Sequence, residues 1–400
     1  MSFEIRISDI TALARGSSVL GCGGGGNSYY GQLVARRLLA GDVAVRVIDV
    51  DEMAPESFAI TPAAVGAPLV CLEKPPSLVA LHAGLESVRG ALRGPVSAFF
   101  AAEIGGLQCV FPVLLAAEAS LPLLDGDGMG RAFPELQMTT FSIYGTTHGL
   151  PHALSGDRGL ISPDPARHPD SSEPESPDDP PGIRFERAVR KICTAHGGLI
   201  YLTSAFDQRS LSRTLVRGSI SLALRIGRAI ESARQGNRDP VGAITQAADG
   251  KRFIAGKIVD VERQFRSGHD WGTVRLEGVE EDRGRVAEIA FKNEYLILNL
   301  NGEVALTVPD LITLAETETG TPVSTDILRP GLRVTVLGLP ASSLLTTPVA
   351  LKSVGPGAFG YNIAHVPLRQ PSVDTAVPGS ANDDSGVDKL PTGTRLRPKL

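Results

Sequence analysis

Val96-Ser97-Ala98-Phe99-Phe100-Ala101-Ala102, with Glu103 at its end, is an almost unbroken apolar run. Such a run suits a strand buried on both faces, as in a parallel sheet covered by helices, better than a strand with one wet face. Outward from it, strands and helices alternate. Val43 to Asp49 and Phe58 to Ile60 read as strands, and Tyr30 to Ala40 and Pro75-Pro76 to about Arg93 as helices. Downstream come a helix from about Gly106 to Ala119 and a short strand from Leu121 to Leu124. This alternation predicts an α/β N-terminal domain with a mostly parallel sheet. Near the start, Ser8-Asp9 caps a short helix through Ala14 that Gly16 stops. Ser17 to Leu20 then reads as a four-residue strand leading into Gly21-Cys22-Gly23-Gly24-Gly25-Gly26, with Asn27 or Ser28 capping the next helix. The stretch from Pro62 to Pro68 reads as a loop.

The rhythm breaks at Ser162 to Gly182, which is too rich in Pro, Asp and Ser to bury an ordering core. Helical patterns resume at Phe185 to Thr194 and at Ser210 to Ser232. From Lys251 the signal changes to short strands: Phe253 to Ala255, Lys257 to Val261, Gly272 to Leu276, Val286 to Phe291, Tyr295 to Leu300, Val304 to Val308 and Leu332 to Leu337. Asn301-Gly302 between two of them is a hairpin turn. The expected organisation is an α/β domain over 1–161, a disordered acidic insertion over 162–182, a second domain over 183–368 with helices followed by a β-rich part, and a disordered tail over 369–400.

The 400 residues carry a net charge of −5 and no cluster of Lys and Arg, which speaks against nucleic acid or an anionic membrane as partner. With 42% hydrophobic residues a sizeable core is available, whereas 5% aromatic residues argue against a base-stacking surface. No stretch approaches the roughly 20 apolar residues of a membrane span, and Met1 to Arg6 lacks a signal-peptide pattern, so a cytoplasmic protein is expected. The scattered Cys22, Cys71, Cys109 and Cys193 suggest buried free thiols rather than a zinc site.

Two segments carry candidate chemistry. Gly21-x-Gly23-x-x-Gly26 has dinucleotide spacing, and Asp49 and Asp51 stand where an acid would meet a ribose. The short leading strand and the excess of glycines argue against NAD, leaving backbone amides of Gly23, Gly24, Gly25 and Gly26 as ligand contacts. The other segment, Leu124-Asp125-Gly126-Asp127-Gly128-Met129-Gly130-Arg131-Ala132-Phe133-Pro134-Glu135, leaves a strand at its C-terminal end, as does Glu103-Ile104-Gly105-Gly106. Open α/β sheets bind ligands at such ends. Carboxylates converging there suit a general acid and base or a divalent metal. The competing reading is that Asp125 and Asp127 cap turns and Arg131 pairs with Glu135 one helical turn on. Cys22 at a helix N-terminus is a weaker candidate nucleophile. His148 and His152 flank Pro151 and are poorly spaced for a metal pair, and His196 and His269 look like surface histidines.

LGCGGGGNSYYG, VGAPLVCLEK, EIGG, DGDGMGRAFPELQMTTF, SLALRIGRAI, GKIVDVER, FKNEYLILNLNGEVALTVPDLI and GPGAFGYN occur in this order between about Ile7 and Leu368. In these blocks the chain resembles the S-methyl thiohydantoin desulfurase family, whose members often accompany hydantoinase/oxoprolinase-type proteins. The resemblance implies an α/β domain followed by a β-rich one. It also implies hydrolysis of a five-membered S-methylated thiohydantoin to a hydantoin with loss of methanethiol. That reaction needs a base for water, donors for developing charge and a proton for the leaving group. From loop position, Glu103 or Asp127 is the expected base, Arg131 and the amides of Gly23 to Gly26 the donors, and Glu135 or Lys74 a supporting acid, with Asp125 beside them. The alternatives are a non-catalytic accessory of a hydantoinase/oxoprolinase-type enzyme and an NAD-linked oxidoreductase.

Overall fold

The computed structural model describes residues 2–26, 29, 32–33, 35–36, 43–66, 70, 73–74, 77–146, 151–164, 179–266 and 268–368. The helix caps expected at Asn27 and Ser28, and with them Cys71, His148, Pro75-Pro76, most of the insertion and the tail, lie outside the described residues.

The first half is built on strands β1 (Phe3–Ile5), β2 (Val45–Ile48), β3 (Phe58–Gly66), β4 (Val96–Ala101), β5 (Leu123–Asp127), β6 (His152–Gly156) and β7 (Gly159–Ile161), with helices α1 (Ile10–Leu20), α2 (Leu78–Ala91), α3 (Val110–Ala119) and α4 (Thr140–Ile143) between them. Next come α5 (Pro181–Ala195), β8 (Leu199–Asp207), α6 (Gln208–Thr214), β9 (Val216–Arg217), α7 (Ser219–Gln235) and α8 (Pro240–Ala247). Strands β2, β5, β4 and β3 lie side by side and parallel. Antiparallel additions extend this core, with β1 beyond β2, β8, β6 and β7 beyond β3, and β9 against the end of β5. The apolar run behaves as its composition demands. Phe99 joins the core that includes Phe111 of α3, and Phe100 joins the one on the opposite side, in edge-on contact with Phe141 and Phe206.

Three expectations need correction. Gly16 does not stop α1, and Ser17 to Leu20 is that helix's last part rather than a strand. Gly16 is instead a crossing point: a Cβ there would lie 1.7 Å from the Ala223 carbonyl oxygen of α7, and one at Gly227 of α7 would lie 1.8 Å from that of Ala12. Backbone-to-backbone contact of two helices tolerates no side chain, which explains a glycine inside a helix. The expected loop from Pro62 is β3 continuing to Gly66, held by β8 on one side. Opposite, β4 no longer pairs, and the Gln108 side chain takes the strand's place, accepting from the Ala64 amide at 2.9 Å and donating to its carbonyl at 2.6 Å. The expected long helix from Ser210 to Ser232 is α6, β9 and α7, divided at Gly218, which has φ +80°.

The second half is an antiparallel sheet of β10 (Lys251–Arg266), β11 (His269–Gly278), β12 (Val286–Lys292), β13 (Glu294–Leu300), β14 (Glu303–Thr307), β15 (Leu311–Glu316), β16 (Pro322–Val323) and β17 (Arg333–Leu339), followed by α9 (Pro348–Val354). The turn at Asn301-Gly302 is present, with φ of +53° and +89°. The two sheets share a core. Met129, Phe133 and Met138, from the chain following β5, pack with Leu296, Ile297 and Val308 of the second half. Among the described residues no helix is long and apolar enough to cross a membrane.

Candidate functional site

At the C-terminal ends of β4 and β5 lies a cavity of about 100 Å³. Its walls include Gly25 and Gly26, the second half of β3, Ala102, Glu103 and Gln108 beyond β4, Met129 and Phe133 to Leu136 beyond β5, Arg190 of α5, and Asn293 and Glu294 from the second sheet. The cavity lies where open α/β sheets bind their ligands, and the β12–β13 turn closes the cleft from the other half.

The glycine run follows the C-terminus of α1, so the strand that a dinucleotide fingerprint requires before its loop is absent. Asp49 and Asp51, the expected ribose acids, pair with Arg217 at 3.0 and 2.6 Å on an exposed surface. The loop instead docks backbone on backbone. The Cys22 carbonyl accepts from the Tyr295 amide at 2.8 Å, that of Gly23 from Thr325 at 3.0 Å, and that of Gly25 from Leu107 at 2.9 Å. A Cβ at Gly25 would fall 2.4 Å from the Gly105 backbone, and one at Gly24 2.0 Å from Glu294 Oε1. Cys22 is fully buried and burial pushes its thiol up to about 11, so it does not supply a neutral-pH thiolate.

The acidic segment divides by what each group holds. Asp125 and Asp127 lie in β5 rather than in a loop. Asp125 Oδ1 accepts from the Ser221 amide at 2.9 Å and so caps the start of α7. Asp127 Oδ2 accepts from the amides of Ile104, Met129 and Gly130 at 2.9, 3.0 and 2.8 Å, tying together the turns after β4 and β5. Burial lifts its carboxyl to about 7 against those three bonds, and it is not part of the cavity wall. Arg131 is fully buried and does not pair with Glu135. It donates to the carbonyls of Ala132, Asp310 and Tyr295 at 3.1, 2.9 and 2.7 Å, bracing the loop against the second half. Glu135 lines the cavity in an ion pair with Lys292 and a hydrogen bond from Gln137. Burial pushes its carboxyl up, but the Lys292 ammonium outweighs this and holds it below the usual range. Lys74 is elsewhere, donating to the Gly197 carbonyl at 2.8 Å.

Glu103 lines the cavity and is 7% exposed, with Oε2 accepting from the Phe133 amide at 3.3 Å. Its carboxyl is pushed well above the usual range, first by burial and then by Glu294 and Asp127. Glu294, which sequence reasoning passed over, faces the same space and is 3% exposed. Its Oε2 has no hydrogen-bond partner among the described residues, and burial lifts the group to about 8. Lys292-Asn293-Glu294 is a short polar link between two apolar strands. Docking against the first half buries it. The signal available was its position inside one of the blocks that carry the resemblance. His269 is likewise buried, its Nε2 3.3 Å from the Pro134 carbonyl, and is no surface histidine. Among the described residues no three His, Cys, Asp or Glu side chains are grouped to hold a metal ion.

Residues 8–162 match the S-Me-THD-like N-terminal domain and residues 181–368 the S-Me-THD-like C-terminal domain. A crystal structure of a protein from Chromobacterium violaceum superimposes with a TM-score of 0.73 at 25% identity, covering 92% of this chain and 100% of that one. Comparison with curated proteins returned no match.

Proposed function

The chain belongs to the S-Me-THD-like family, and from that premise and the cavity we propose that it is a hydrolase of a small five-membered heterocycle, converting an S-methylated thiohydantoin to a hydantoin with release of methanethiol. The observation that carries this reading is the convergence on one cavity of Gly25, Gly26, Glu103 and Glu135 with Glu294 from the other half. A cavity of about 100 Å³ suits a small ring with the attacking water better than an extended cofactor. One of its buried carboxyls, Glu294, is lifted to about 8, so that its protonation can change not far above neutral pH, as water activation at an isothiourea-like carbon requires. Of the two sequence candidates for the base, Glu103 borders the cavity, whereas Asp127 is engaged by three amides. Gly25 and Gly26 bring main chain to the ring's edge, where amides can oppose charge developing on nitrogen or oxygen.

The test is release of methanethiol from an S-methylated thiohydantoin by the purified protein, followed with a thiol reagent. Time-dependent release that Glu103→Ala abolishes, with an unchanged circular dichroism spectrum, is the expected result. Absence of thiol release from a panel of such rings would overturn the reading.

A further inference from the structure

Two carboxyls buried beside one another in the same cavity cannot both ionise without large cost, so their surroundings decide which of them holds the charge. The surroundings differ in sign. Glu294 is faced by Arg131 from the chain after β5, by Lys292 from its own turn and by Arg190 from α5, with Glu103 as the opposing acid. Glu103 is faced by Glu294 and Asp127, both acidic, with the Arg131 guanidinium opposing them. The hydrogen bonding differs as well. The Phe133 amide occupies Glu103 Oε2 and by itself favours ionised Glu103, against the sign of the charges around it, whereas Glu294 Oε2 has no partner among the described residues and is the oxygen open to a water.

We propose that Glu294 is the catalytic base of this site and Glu103 its acid, so that the β12–β13 turn of the second half, rather than the loops of the first, activates the water. The inference rests on the hydrolase reading above. As the water oxygen bonds to the ring carbon bearing sulfur, the Glu294 carboxylate takes one water proton. The C=N electron pair moves onto the ring nitrogen, which takes the Glu103 proton. In the second step the new hydroxyl returns a proton to Glu103 and becomes the carbonyl, the C–S bond breaks, and the departing thiolate takes the proton held by Glu294. One water is consumed, one methanethiol leaves, and both carboxyls regain their starting states. Glu294, lifted to about 8, must lose its proton before the first step. Turnover therefore rises with pH as Glu294 ionises near 8, and Glu103 must still hold its proton for the step to proceed.

Two measurements decide the matter. The pH profile of kcat/KM for methanethiol release should show an ascending limb near 8 that Glu294→Gln removes, with a loss of roughly 10²–10⁴-fold in a protein that still melts cooperatively. Retention of activity within threefold in that variant would overturn the assignment while leaving the hydrolase reading intact. Independently of any substrate, carbon NMR of glutamate-labelled protein, assigned by the signals lost in Glu294→Gln and Glu103→Gln, should show Glu294 ionising before Glu103. The reverse order overturns the proposal whether or not methanethiol is released. Wild-type protein that releases none defeats the reaction instead.

Discussion

The chain that follows β5 and the turn between β12 and β13 both carry acids into the centre of the molecule, and they use them in opposite ways. The first is dense in charge, but Asp125 caps a helix, Asp127 holds three amides and Arg131 holds three carbonyls. Those charges are committed to main-chain groups that would otherwise be buried without partners. The second brings one acid, Glu294, whose unbonded Oε2 belongs to a residue of the cavity wall, whereas the unbonded Oδ1 of Asp127 is buried away from that wall. Density of charged residues in a loop is therefore a poor guide to chemistry here. An uncommitted group is the better one.

Three variants probe that difference. Asp127→Ala removes the acceptor of three buried amides and should cost about 3–5 kcal/mol in urea unfolding, while the fraction that stays folded keeps a near-normal kcat. A kcat loss beyond the folded fraction would make Asp127 a participant rather than a brace. Glu294→Gln should act on stability with the opposite sign. A carboxyl raised from 4.5 to about 8 on folding makes the native state bind more protons than the unfolded one, so stability falls as pH rises between those values. Glu103 and Asp127, also raised, add to the same slope. Replacing Glu294 should flatten it, gaining about 5 kcal/mol at pH 9 and little at pH 4. An unchanged slope would mean that Glu294 is not the desolvated acid described. Gly24→Ala should have the smallest effect on stability, about 1 kcal/mol, because the Glu294 carboxyl rather than main chain must give way. Turnover should nevertheless fall by at least roughly tenfold, and unaltered kcat/KM would show that Glu294 need not be held where it is.

Much of this was written in local pattern. The run from Val96 to Ala102 specified a strand buried on both faces, and Asn301-Gly302 specified its hairpin, because each depends on neighbours in sequence. Glu103 was legible for the same reason, as the acid at a parallel strand's C-terminal end. What local pattern could not carry was contact between distant segments. Gly16 looked like a stop because nothing near it in sequence announces the helix that crosses it. The glycine run looked like a nucleotide loop because spacing records where glycines fall and not what approaches them, which is Gly105 and Glu294. Lys292 and Glu294 were passed over because a turn's burial is decided by the half of the chain it docks against. Lys74 illustrates the converse, a charged residue near a promising motif whose partner is a remote carbonyl.

The fit of Glu294 against Gly24 also has a hereditary consequence. Two positions 270 residues apart in the numbering are bound into one choice: the side chain of one fills the space that a Cβ on the other would need. A lineage that places a side chain at position 24 must shorten or withdraw the acid at position 294, and one that loses the acid is released from keeping the glycine. Aligned relatives should therefore change at these two sites together, and the order of the two changes would date the point at which a branch gave up the acid.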